Sequence, residues 1–80
     1  MYEELVILQR IGNGREFKVI DKNTGEEAGN IIFDEEIARY RLIPVGKISG
    51  ERILPETVKT FMEAWSMFNY FYPLLKRKIG

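Results

Sequence analysis

The last quarter of the chain holds six of its ten aromatic residues, all between Phe61 and Tyr72, and this crowding narrows what 80 residues can fold into. Phe61, Trp65, Phe68, Tyr72, Leu75 and Ile79 recur at spacings of three and four, which is the pattern of one helix face turned towards a core. Met67, Phe71 and Leu74 form a second apolar ridge beside that stripe, with Tyr70 next to it. One helix on one small sheet does not normally cover so much apolar surface. The ridge is therefore the candidate protein interface, comprising Met67, Tyr70, Phe71 and Leu74, and methionine with large aromatics is the composition enriched at such surfaces. Pro55 and Glu56 suit a first helical turn, so the helix is expected to begin there. Pro73 lacks the amide that would bond the Asn69 carbonyl, which predicts a kink or break near Asn69 to Pro73.

Upstream of the helix the periodicity is two rather than three or four. Glu3 to Ile11 and Glu16 to Asp21 are short strand-like runs separated by Gly12-Asn13-Gly14, a strong hairpin signal. With Asn13 and Gly14 as the loop, Leu8 faces Val19 and Ile7 faces Ile20. Asp21 to Glu26 reads as a second turn, in which Gly25 supplies a left-handed residue, and Ala28 to Phe33 is the next strand. Residues 34–43 fit two patterns. As a helix, Asp34 caps it and Glu35 pairs with Arg39 four residues on. As a strand, Ala38, Tyr40 and Leu42 share one face and Arg39 and Arg41 the other. The strand is favoured because Pro44 stops any helix early. Val45 to Leu54, with Ser49-Gly50 at its centre, is read as a short hairpin or irregular arm. The expected fold class is α+β: an antiparallel β-meander of three to five strands with one C-terminal helix packed on a face of the sheet, in a single domain spanning 1–80.

The chain has no cysteine and no histidine, which removes disulfides, thiolate metal sites and the commonest acid–base catalyst. Ser49 and Ser66 have no base near them in sequence. No catalytic residue, metal site, cofactor or small-molecule substrate is expected, and the chain is read as not an enzyme. The acidic run Asp34-Glu35-Glu36 is explained as a turn or helix start. Gly12-Asn13-Gly14 lies between strands and so presents no helix N-terminus to a phosphate. Asp21 to Glu26 lacks the glycine and glutamate positions of a calcium loop. No secretion leader or membrane-spanning run is recognised, so a soluble, cytoplasmic protein is expected.

Net charge is zero but unevenly placed: residues 1–36 carry −5 and residues 37–80 carry +5. Arg39, Tyr40, Arg41, Lys47 and Arg52, extended by Lys76, Arg77 and Lys78, form the candidate nucleic-acid contact, in which arginines meet phosphates and a tyrosine stacks on a base. Two functions are carried forward. The first is a small non-catalytic protein-binding module that self-associates through the helix ridge and occupies a partner's surface, as accessory or inhibitory proteins do. The second is a sheet-based nucleic-acid-binding domain.

Overall fold

The chain is described by a computed structural model covering residues 3–12, 14–45 and 53–79, with side chains described up to Leu75. Strand β1 (Val6–Ile11) and strand β2 (Glu16–Asp21) form the first hairpin. Leu8 pairs with Val19 and Ile7 with Ile20, the register that the turn residues predict. Gly14 has φ 90°, a conformation costly for any residue with a Cβ. Asn13 lies outside the described residues.

The loop after β2 is organised by Asp21. Its Oδ1 accepts the amides of Asn23 at 2.7 Å and Thr24 at 3.0 Å, while Gly25, at φ 78°, donates its amide to the Asp21 carbonyl. Strand β3 (Glu27–Asp34) then pairs with β2. Val19 opposes Gly29 and Ile20 opposes Glu27, so Ala28 is an extra residue that bulges the strand.

Asp34 and Arg39 close a hairpin onto strand β4 (Arg39–Pro44), so residues 34–43 are not a helix. Asp34 Oδ1 accepts the Glu36 amide at 3.0 Å, and Ala38 takes φ 53° to turn the chain. Local side-chain bonding of this kind is how aspartate favours turns over helix. Strand β5 (Thr57–Val58) pairs Tyr40 with Val58 and Arg41 with Thr57, completing a five-stranded sheet in the order β1-β2-β3-β4-β5. The arm expected over Val45 to Leu54 falls mostly on residues 46–52, which lie outside the described residues.

Helix α1 spans Phe61–Ile79. It does not start at Pro55, because residues 57–58 are drawn into the sheet and Thr60 takes the capping position. Thr60 Oγ1 accepts the Glu63 amide at 3.1 Å, and Thr60 and Glu63 hold the two positions of a capping box. Nor does the chain break at Pro73, which sits inside the continuous helix and is exposed to solvent.

The helix covers one face of the sheet. Val6, Val19, Ile31, Leu42 and Val58 from the strands meet Ala64, Phe68, Tyr72 and Leu75 from the helix, with Ala28 and Leu54 completing the buried cluster. Full burial of side chains such as Phe68 or Ile31 contributes roughly 1.5–3 kcal/mol each. Phe68 comes so close to β3 that a Cβ on Gly29 would stand 2.9 Å from its ring and 2.5 Å from the Ile43 carbonyl oxygen. Gly29 is thus required by close approach. Phe17, Phe61, Tyr40 and Phe33 extend the core along one end, with successive ring centroids 4.7, 5.9 and 5.0 Å apart.

Two polar ties join the helix to β1. Asn69, buried within the helix, accepts the Leu5 amide at 2.6 Å and the Val6 amide at 3.2 Å on Oδ1, and its Nδ2 donates to the Glu3 carbonyl at 2.9 Å. Trp65 Nε1 donates to the Val6 carbonyl at 3.1 Å. On the same flank, the Tyr72 hydroxyl donates at 2.6 Å to Oδ2 of Asp21, the cross-strand partner of Val6. Burial, reinforced by Asp21, pushes the Tyr72 phenol well above its ordinary value. No described helix is long and apolar enough to cross a membrane.

Candidate functional site

With Ala64, Phe68, Tyr72 and Leu75 turned to the sheet, the 100° step of a helix places Met62, Ser66 and Tyr70 on the far side with Leu74 at its margin. Three of these four are apolar or aromatic and stay uncovered: Met62 is 64% exposed, Tyr70 77% and Leu74 47%. Their neighbours Met67 and Phe71 are half-buried and packed against the core. Tyr70 stands edge-on to Phe71, with ring centroids 4.9 Å apart and planes at 86°. The ridge singled out from sequence is therefore graded. Phe71 and Met67 form its base, and Tyr70 and Leu74 form the part that meets solvent. Met62, one turn before Ser66, continues the same strip, and its spacing of four from Ser66 and eight from Tyr70 was a legible sign that it belongs there.

A cleft of about 440 Å³ flanks the strip, lined by Glu3, Leu5, Ser66, Asn69 and Tyr70. Asn69 forms its floor with a side chain already committed to the backbone of Glu3, Leu5 and Val6. Tyr70 is its wall.

The opposite face of the sheet carries Arg39 and Arg41, as strand alternation requires. Each is held: Arg39 Nε donates to Thr57 Oγ1 at 2.8 Å, and Arg41 Nε to Asp34 Oδ2 at 2.8 Å. The Arg41 guanidinium holds the Asp34 carboxyl below its ordinary value. Tyr40 points to the helix side, between Phe33 and Phe61, so it does not share a face with the two arginines. Lys47 and Arg52, and the side chains of Lys76, Arg77 and Lys78, lie outside the described residues. A shallow groove of about 450 Å³ runs past Ile32, Asp34, Glu36 and Arg41, bounded by an Arg15–Glu35 ion pair. Among the described residues no three histidine, cysteine or acidic side chains stand together as metal ligands would.

No protein-family model matches this chain, and no curated protein or solved structure gives a significant match.

Proposed function

We propose that the protein is a small non-catalytic protein-binding module that self-associates through the outer strip of α1 and acts by occupying a partner's surface. The observation that carries this reading is the exposure of Met62, Tyr70 and Leu74 along a single line of the helix. Isolated exposed apolar residues are ordinary, but an aligned strip built on a half-buried aromatic base resembles the centre of an interface. A second copy suits the strip because Ser66, small and midway between Met62 and Tyr70, allows two antiparallel helices to approach closely.

Nucleic-acid binding through the sheet has less behind it. Its two central arginines are already engaged, and its tyrosine is turned into the core.

Sedimentation of the wild type and of the double variant Tyr70→Glu, Leu74→Glu tests the proposal. Both positions are exposed, so the variant keeps the fold while placing charge on the strip. The wild type is expected to form a larger species than the variant across a concentration series. Equal masses at every concentration refute the helix strip as the contact.

A further inference from the structure

The outer edge of β1 is a second, independent surface. The Lys22 amide donates to the Leu5 carbonyl at 3.0 Å, which fixes the phase of the β1–β2 ladder: Leu5, Ile7, Gln9 and Ile11 bond β2. The amides and carbonyls of Val6, Leu8 and Arg10 consequently point away from the sheet. The helix takes both groups of Val6, through Asn69 Oδ1 and Trp65 Nε1. No described residue bonds the outward groups of Leu8 and Arg10. Such an edge is a template for another strand, and the usual protections are missing: β1 has no proline and no bulge, and its one charged side chain, Arg10, lies over the Phe17 ring at 5.9 Å.

We propose that β1 pairs antiparallel with β1 of a second copy of this chain, about a two-fold axis at Gln9. The register follows by elimination. An axis at Leu8 needs the groups of Val6, which are already bonded. An axis at Arg10 sets two guanidinium side chains directly opposite each other, a destabilising like-charge pair. An axis at Ile11 leaves Leu8 unpaired and runs into the turn. With the axis at Gln9, Leu8 bonds Arg10 of the second copy and Arg10 bonds its Leu8, which satisfies every free group. This register brings Gly12 of the second copy towards Val6, where Trp65 and Asn69 hold the edge, so the pairing ends at Ile11, beyond which Gly12 turns the chain away at φ 62°. On the open face it sets Ile7 against Ile11 of the second copy, twice, beside Ile20. Ile7 is 42% exposed in the single chain and gains cover by this pairing. The two sheets join into one of ten strands.

The chain contains no cysteine, so a single introduced thiol reports the contact cleanly. A non-hydrogen-bonded antiparallel pair has Cα atoms about 4.5 Å apart, within the span a disulfide bridges. Under mild oxidation, Gln9→Cys is expected to form a covalent dimer at least about tenfold faster than Ile7→Cys, because only position 9 meets itself. Mixed Ile7→Cys and Ile11→Cys chains should cross-link to each other faster than either does alone. Equal rates for Gln9→Cys and Ile7→Cys overturn the pairing. Arg10→Pro removes an outward amide and leaves the ladder to β2 intact. Combined with Tyr70→Glu and Leu74→Glu, which remove the helix contact, it should abolish the remaining dimer in sedimentation while retaining the circular dichroism spectrum of the parent variant, and a dimer that survives in this combination also overturns the proposal. Should Arg10→Pro fail to fold, the cross-linking rates decide alone. The cross-link reads the edge and the Tyr70→Glu, Leu74→Glu variant reads the helix, so either surface can fail without the other.

Discussion

Asn69→Ala tests whether one buried amide fastens the sheet to its helix. Asn69 is 5% exposed and makes three hydrogen bonds to the backbone of Glu3, Leu5 and Val6. Each such bond contributes about 0.5–1.5 kcal/mol net, and a buried amide left without a partner costs about 1–3 kcal/mol. The Val6 amide is buried and becomes that orphan, whereas the bonds to Leu5 and Glu3 are part-buried and water recovers some of them. Alanine returns roughly 0.5 kcal/mol of helix propensity. The net loss is expected at about 2–4 kcal/mol, a large share of the roughly 4–12 kcal/mol available to a domain of this length. That corresponds to a fall in Tm of about 10–25 °C. Urea unfolding followed by circular dichroism measures the loss. Fluorescence of Trp65, the sole tryptophan and itself bonded to Val6, should report the same transition. Amide exchange should accelerate at Val6 before it does at Val19. A loss under about 0.5 kcal/mol, with Val6 still protected, refutes the idea that Asn69 holds the edge.

Two further outcomes follow from the core. Gly29→Ala should destabilise by about 1–3 kcal/mol although alanine normally strengthens a strand relative to glycine, because its Cβ meets the Ile43 carbonyl and the Phe68 ring; adding Phe68→Leu should recover part of the loss, and chemical denaturation of the two variants checks both. Tyr72→Phe should cost about 1–3 kcal/mol by removing the bond to Asp21. Because the Tyr72 phenol is raised on folding, the unfolded chain gives up this proton first. The stabilisation is complete below the ordinary tyrosine value of 10.0 and is lost as pH climbs from there towards the folded value. Absorbance titration should accordingly show one tyrosine fewer ionising near pH 10 in the wild type than after unfolding, and equal counts refute the assignment.

Much of the fold could be read from local chemistry. Gly12-Asn13-Gly14 sets the register of β1 on β2, since slipping by one residue turns every side chain to the wrong face. The spacing of Phe61, Trp65, Phe68, Tyr72 and Leu75 marks the face of α1 that meets the sheet. Three features escaped for identifiable reasons. Strand β5 has two residues, too few for a periodicity, so Pro55 and Glu56 offer a false helix start. The stronger start signal was Thr60 followed by Glu63 three residues later. Gly29 has no unusual φ, and its role appears only when Phe68 is in place. Asn69 carries no local signal of its role, because its partners lie more than sixty residues away in sequence. The exposure of Tyr70 and Leu74, by contrast, depends on how far the helix rolls on the sheet, which Phe68 against Gly29 decides.

The meander and its cover form on different schedules. Every strand bonds its neighbour in the chain, so the sheet can zip from short loops, whereas the Asn69 and Trp65 ties close a circuit of about sixty residues and must wait for α1. During translation the sheet is made before the helix that shields it. For that interval Val6, Val19, Ile31 and Leu42 face water, and a nascent chain halted there offers a sticky plane to its neighbours on the same message.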